Sequence, residues 1–190
     1  PIMNAIDRRL LMMLAALGTG ALAVPGAAQI VTARGLTHGV ASGEPTATSV
    51  LLWTRFVSAS GEAQLTAEVS ESADFTRIVA GGSVTASAAR DHTAKIVVGG
   101  LAPGRWYYFR FVAPDGSASC TGRTRTLPVG DTRQFRIGVF SCSNIGFGWF
   151  NAYADAARRG DIDLAVHLGD YIYEYPQRTY PDRPLPGREM

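Results

Sequence analysis

The sequence predicts an antiparallel β-sandwich followed by the first βαβ unit of an α/β domain. Between residues 35 and 126, short runs of β-branched and aromatic residues alternate with turns rich in Gly and Pro. From residue 135 onwards, two continuous apolar runs flank a segment with helical periodicity, a pattern typical of parallel strands connected by a helix. The 190 residues are enough for one domain or two small ones, with room for a hydrophobic core.

Composition and charge narrow the class of protein. Hydrophobic residues make up 46% of the chain and charged residues 18%, which is typical of a globular protein. The net charge is only +2, and the arginines are scattered along the chain. No surface specific for nucleic acid is therefore expected.

Residues 1–28 have the pattern of a secretory signal peptide. Arg8 and Arg9 precede a largely apolar run over residues 10–24, which is shorter than the about 20 residues that a membrane-spanning helix needs. The paired arginines favour export by the twin-arginine machinery, although Asp7 stands where that signal usually has Ser or Thr. We expect an exported protein, periplasmic or extracellular, with no stable membrane span; the alternative is a buried N-terminal helix.

Four runs of the first domain, residues 35–126, are predicted to be strands because they are rich in β-branched and aromatic residues. They are residues 49–55, 64–70, 93–99 and 105–113. In the last run Tyr107, Phe109 and Phe111 alternate with Trp106, Tyr108 and Arg110, as expected for a strand with two unlike faces. No helical periodicity of useful length interrupts these runs, which favours an antiparallel sandwich.

A short motif before the last strand refines this prediction. Leu101, Pro103 and Tyr107 form L-x-P-x-x-x-Y, which resembles the tyrosine corner of fibronectin type III and immunoglobulin-like sandwiches. In that motif the phenol bonds to upstream backbone where the chain crosses between sheets, so Tyr107 is assigned a structural role. His38 and Glu44 are interpreted as residues of a turn or an interface.

A polar, Pro- and Gly-containing linker over residues 127–134 separates the two domains. The second domain, residues 135–190, begins with elements that form one βαβ unit, whose strands must be parallel. They are a strand over residues 135–142, a helix over 149–160 and a strand over 163–169. Both strands are expected to be buried on both faces.

Three side chains with metal-binding chemistry follow these strands. Cys142 ends the first strand, Asp170 follows the second, and Tyr173 comes three residues later. Because parallel strands end at the same edge of a sheet, we expect the three to converge. A thiolate, a carboxylate and a phenolate repel one another unless a cation binds them, and sulfur with phenolate favours a transition metal, ferric iron in particular. The sequence predicts a metal site at this edge.

Each of these residues has a structural alternative. Cys142 is a small hydrophobe if it is buried, Asp170 caps a turn, and Tyr173 packs with other aromatics. Tyr171 and Tyr175 are expected to contribute mainly to the core.

Three other polar residues are given structural interpretations. His167 is interpreted as a buried, hydrogen-bonded histidine, and Asp161 and Asp163 as solvated residues. A disulfide between Cys120 and Cys142 is an alternative in an exported protein, but the two cysteines fall in different predicted domains.

Two stretches carry a resemblance to a known family. G-D-x-x-Y at residues 169–173 resembles the pattern with which purple acid phosphatases and their calcineurin-like relatives hold iron. The string "VFSCSN" with "DLAVHLGDYIYEY", together with "LTHGVASGEPTATSVLLWTR" in the first domain, is similar to the alkaline phosphatase D (PhoD-type) family. The resemblance covers nearly the whole chain, in the family's order of leader, β-sandwich and metallophosphoesterase domain.

The resemblance implies a secreted alkaline phosphatase or phosphodiesterase that hydrolyses small phosphate esters or phosphodiesters by a metal-activated hydroxide. It implies that Cys142, Asp170 and Tyr173 bind Fe(III), and that Asp170 also bridges to Ca²⁺. The family's later Asn and His ligands have no counterpart here, and no substrate-binding residue is assigned. We therefore expect an N-terminal fragment of a longer enzyme, inactive by itself.

Two other functions stay open on the sequence alone. One is an exported β-sandwich binding module without catalysis, in which the second domain has no role. The other is an acid phosphatase with an iron–zinc pair, which shares the Asp-x-x-Tyr element but is a poor match for a cysteine at the first strand end.

Overall fold

A computed structural model of the chain describes residues 35–176 and 179–188. The signal peptide predicted for residues 1–28 lies outside these residues. Across the described ranges, no helix has both the length and the apolar character needed to cross a membrane.

Residues 35–126 form seven strands in two antiparallel sheets, as predicted for a sandwich. The three-stranded sheet has the order β1-β2-β5 and the four-stranded sheet the order β4-β3-β6-β7. The strands are β1 Gly35–Gly43, β2 Val50–Val57, β3 Glu62–Ser70, β4 Ile78–Ser87, β5 Thr93–Val98, β6 Trp106–Val112 and β7 Gly122–Arg125.

Three of the seven strands, β1, β4 and β7, were missed by the sequence analysis. Their sequences contain several Gly, Ser or Arg residues, so intrinsic strand propensity is low and pairing with neighbouring strands determines their conformation. His38, interpreted as a turn or interface residue, lies inside β1, at an irregularity of its pairing with β2.

The core lies between the two sheets and follows the period of two along each strand. Val50 and Leu52 of β2 are fully buried, as are Leu65 and Val69 of β3 in the other sheet. In β6 the predicted alternation is confirmed, because Tyr107, Phe109 and Phe111 are buried and the residues between them are half-buried.

Tyr107 fixes the passage from β5 in one sheet to β6 in the other. Its hydroxyl accepts a hydrogen bond of 2.9 Å from the backbone N–H of Ala102, five residues upstream. The carbonyl of Ala102 in turn accepts a bond of 2.7 Å from the hydroxyl of Thr126. Both backbone polar groups of Ala102, in the connection between the sheets, are thus paired within the protein.

The second part contains a βαβ unit, as predicted. Strands β8 (Ile137–Phe140) and β9 (Leu164–His167) are parallel, with Ile137 opposite Leu164 and Phe140 opposite His167. Helix α1 (Asn151–Arg159) lies between them in sequence and ends at Gly160, whose φ of 68° is left-handed. Glycine reaches that conformation without a steric penalty, so it ends the helix.

The predicted burial of this sheet on both faces is wrong for the described residues. Side chains of β8 stay exposed on one face, by 54% at Ile137 and 59% at Val139. On the other face Phe140 packs against Tyr153 of α1, with ring centroids 5.0 Å apart. One helix covers one face of two strands, so the second face keeps its apolar side chains in contact with solvent.

Polar contacts hold the turn before β9 against the sandwich. The side chain of Asp163 is only 5% exposed and forms an ion pair with Arg125 of β7, so its predicted solvation is wrong. Asp163 also accepts a hydrogen bond of 2.9 Å from the backbone N–H of Arg136. Arg123 lies over the ring of Trp106 and donates a bond of 2.8 Å to the carbonyl of Gly160. The sandwich thus anchors the start of the second strand.

Candidate metal centre

The candidate site lies where β8 and β9 end. Beyond the last ladder residues the two loops remain paired, because the backbone N–H of Cys142 donates to the carbonyl of Gly169 over 3.2 Å. The N–H of Ser143 donates likewise to the carbonyl of Asp170 over 2.9 Å. These two bonds hold Cys142 and Asp170 side by side on neighbouring loops.

Both residues have a left-handed backbone. The φ angle is 60° at Cys142 and 50° at Asp170. This region costs about 1–2 kcal/mol for a residue with a Cβ, and Asp tolerates it better than most. Non-glycine residues held in this region concentrate at active sites and ligand clamps.

The three side chains predicted as ligands lie together. The sulfur of Cys142 is 3.6 Å from Oδ2 of Asp170. The hydroxyl of Tyr173 donates a hydrogen bond of 2.9 Å to the same carboxylate oxygen. The structure therefore brings the three donor atoms within the span that one ion can bridge, while their binding of a metal stays a prediction.

The neighbours of Tyr173 keep its phenol protonated in the absence of a cation. The hydrogen bond to the Cys142 thiol, and next that to the Asp170 carboxylate, raise the pKa of Tyr173 above the ordinary value of a phenol. The phenol therefore keeps its proton beside its acidic neighbours. A bound cation would reverse this balance by stabilising the deprotonated forms of all three groups.

The donor set fits a transition metal and is incomplete by itself. Among residues 35–176 and 179–188, no group of three or more His, Cys, Asp and Glu side chains is placed to hold a metal ion. Cys142 and Asp170 supply two such groups and Tyr173 adds a phenol. Cys142 is exposed and, like Cys120, has a free thiol, so the disulfide alternative is not formed. Sulfur with two kinds of oxygen donor suits iron better than magnesium.

A second polar cluster lies directly behind these donors. The hydroxyl of Tyr153 is 2.9 Å from Nε2 of His167 and also bonds to the hydroxyl of Ser143. The predicted hydrogen bonding of His167 is confirmed, although its side chain is half-buried rather than buried. The sequence analysis did not single out Ser143, which directly follows Cys142, or Tyr153, which lies on the inner face of α1.

The tyrosines on either side of Tyr173 were wrongly expected in the core. Tyr171 is 69% exposed and Tyr175 is 49% exposed, because they lie on the open loop after β9. Each still packs on an aromatic neighbour: Tyr171 on His167 at 5.1 Å, and Tyr175 on Tyr173 at 6.0 Å. Beside them a cleft of about 290 Å³ opens, lined by Ser143, Ile145, Phe150, Tyr153, Ile172 and Tyr173, among others.

The fold and the site define a protein in which a β-sandwich precedes a parallel α/β unit with thiol, carboxyl and phenol groups at its edge. Residues 22–128 match the family described as PhoD-like phosphatase, N-terminal domain, and residues 137–190 match PhoD-like phosphatase. The chain belongs to the PhoD-like phosphatase family, which confirms the resemblance noted in the sequence.

Two relatives agree with this assignment. Alkaline phosphatase D of Bacillus subtilis (strain 168) is 35% identical over 154 residues, which cover 76% of this chain and 26% of that protein. A solved structure described as the structure of PhoD is 34% identical with a TM-score of 0.71, covering 75% of this chain and 29% of that one. The chain thus spans little more than a quarter of the length of these relatives.

Proposed function

We propose that this chain supplies the first ligands of the metal centre of a phosphoric ester hydrolase. The observation that carries the proposal is the cluster of Cys142, Asp170 and Tyr173 at the end of two parallel strands. Membership of the PhoD-like phosphatase family supports it.

In this proposal Cys142, Asp170 and Tyr173 would hold Fe(III), and the Asp170 carboxylate would also serve Ca²⁺. The bound ions would supply Lewis-acid chemistry, lowering the energy of negative charge on the phosphoryl oxygens. The paired loops hold Cys142 and Asp170 in place before any ion binds, because their backbone bonds are already formed. Tyr173 would lose its proton on binding a cation, because the cation would replace the hydrogen bonds that keep the phenol protonated.

The substrates proposed are small phosphate monoesters or diesters. Residues 1–28 would direct the protein out of the cytoplasm by the twin-arginine machinery, to the periplasm or the extracellular space. Three protein donors are too few for two ions, and the relatives are several times longer than this chain. We therefore place the remaining ligands in segments of the relatives that this chain does not match, and expect the 190 residues to be inactive alone.

Iron binding tests the ligand assignment directly. Fe(III) is titrated into the full chain, and we expect a visible absorption band from tyrosinate-to-iron charge transfer. Tyr173→Phe should abolish the band, whereas Tyr175→Phe, which alters the neighbouring ring, should keep it. A colourless wild-type protein, or a band that survives in Tyr173→Phe, would contradict the assignment.

Hydrolysis tests the activity. With Fe(III) and Ca²⁺ present, the 190-residue chain should cleave neither p-nitrophenyl phosphate nor bis(p-nitrophenyl) phosphate. The same chain joined to the segments that its relatives carry should cleave at least one of them. An extended protein that takes up iron but hydrolyses neither ester would overturn the proposed function.

A further inference from the structure

His167 makes a hydrogen bond at each ring nitrogen, and both bonds lead to the candidate metal centre. Its Nδ1 accepts a bond of 3.3 Å from the backbone N–H of Gly169, the residue directly before Asp170. Its Nε2 lies 2.9 Å from the hydroxyl of Tyr153 and 3.3 Å from that of Ser143. Ser143 directly follows Cys142, so the ring touches the neighbours of both donors.

The hydrogen bond from Gly169 determines which groups donate and which accept in the hydrogen-bond network around His167. A backbone N–H can only donate, so Nδ1 must be the acceptor, and a neutral ring then carries its proton on Nε2. Nε2 donates to the hydroxyl of Tyr153, whose own proton is left for the hydroxyl of Ser143. The order of donation runs from Gly169 to His167, then to Tyr153 and finally to Ser143.

The network adds side-chain bonds to loops that are already paired through their backbones. Cys142 and Ser143 each donate a backbone bond to the loop that carries Asp170. His167 holds the same two loops from behind and ties them to α1 through Tyr153. Tyr171 covers the ring on another side, edge-on at 5.1 Å. Four groups therefore define the orientation of the imidazole.

We propose that His167 is a positioning residue that holds Cys142 and Asp170 in their left-handed conformations, so that the donors are arranged before an ion binds. Its effect on metal affinity rests on the proposed function, whereas its effect on the loops does not. Groups that orient the ligands of a metal typically change its affinity about 10- to 100-fold when they are removed.

Three substitutions separate the two ring nitrogens. His167→Asn keeps an acceptor near the position of Nδ1, His167→Gln keeps a donor near that of Nε2, and His167→Ala keeps neither. His38→Asn is the matched control, because His38 is exposed on β1 and bonds only to the adjacent Thr37 among the described residues. All variants are made in the full chain.

The first measurement uses the metal-free protein. Hydrogen exchange of the Gly169 amide should be about fivefold faster in His167→Ala and His167→Gln, since one hydrogen bond is lost. It should stay near the wild-type rate in His167→Asn and in the His38→Asn control. If all three His167 variants exchange Gly169 at the wild-type rate, or if Asn fails to restore it, the proposal is overturned.

The second measurement is the iron titration by the charge-transfer band. His167→Ala should bind Fe(III) about tenfold more weakly or worse, with the band still present, because Tyr173 is unchanged. Unchanged affinity in every His167 variant would overturn the role in the metal centre. If the wild-type chain takes up no iron, the proposed function fails, and the exchange of Gly169 alone still decides whether His167 positions the loops.

Discussion

Cys142, two residues after the end of β8, and Asp170, three residues after the end of the parallel β9, both have a left-handed backbone. Ser143 and Gly169, beside them, complete the bonds that pair the two loops. The same backbone conformation on both sides places the thiol and the carboxylate 3.6 Å apart. The left-handed backbone at Cys142 and Asp170 and the short distance between their side chains therefore belong to the same arrangement of the two loops.

The strain at Cys142 can be separated from its chemistry. Cys142→Gly and Cys142→Ala both remove the thiol, so both should lose the iron band. Only glycine relieves the left-handed backbone, and we expect the glycine variant to be about 1 kcal/mol more stable than the alanine variant. Hydrogen exchange of the β8 and β9 amides under denaturant measures the difference. Equal stability of the two variants would show that the backbone is not strained there.

The ion pair between Arg125 and Asp163 should stabilise the contact between the sandwich and the βαβ unit. Asp163→Ala removes the partner of the half-buried Arg125 guanidinium and the acceptor of the backbone N–H of Arg136, and we expect a loss of about 1.5–3 kcal/mol. Urea denaturation measures this. In the control Asp155→Ala the lost pair with Arg158 is exposed, so the change should be below about 0.5 kcal/mol. Similar losses in both variants would contradict the prediction.

The hydroxyl of Tyr107 should stabilise the sandwich through its hydrogen bond to Ala102. Tyr107→Phe removes this part-buried bond and should destabilise the fold by about 0.5–1.5 kcal/mol, seen as a lower midpoint of thermal unfolding. Tyr108→Phe, one residue further on the other face of β6, serves as the control and should have little effect. The iron band should be the same in both variants, because neither residue lies near the metal centre. If the midpoint of thermal unfolding falls equally in the two variants, the stabilising role assigned to the Tyr107 hydroxyl is contradicted.

Gly81 should not tolerate a side chain, because β4 pairs closely with β3 at this position. A Cβ at Gly81 would lie 2.2 Å from the carbonyl oxygen of Ala67, a backbone atom that cannot move away without breaking the strand pairing. Gly81→Ala should therefore destabilise the sandwich by about 2 kcal/mol or more, measured by urea denaturation. Gly99→Ala, at a position with open space around it, should be tolerated. A stable Gly81→Ala variant would show that β4 moves away from β3.

The sequence analysis succeeded where side chains alone determine the outcome. Alternation in β6 identified its buried face, and the ends of two apolar runs identified Cys142, Asp170 and Tyr173 as neighbours. It failed where pairing between strands, or packing between residues distant in sequence, determines the structure. Strand β4 contains two adjacent glycines and forms because β3 lies beside it. The burial of Asp163 depends on an arginine 38 residues away, which no local pattern reveals.

The uncovered face of β8 exposes Ile137 and Val139 to solvent, and we expect it to promote self-association of the protein in solution. Exposed apolar strands at the edge of a sheet favour association between copies, and salting-out anions such as sulfate strengthen that association. Light scattering that grows with protein concentration and with ammonium sulfate is the expected sign, and replacing Val139 with lysine should suppress it.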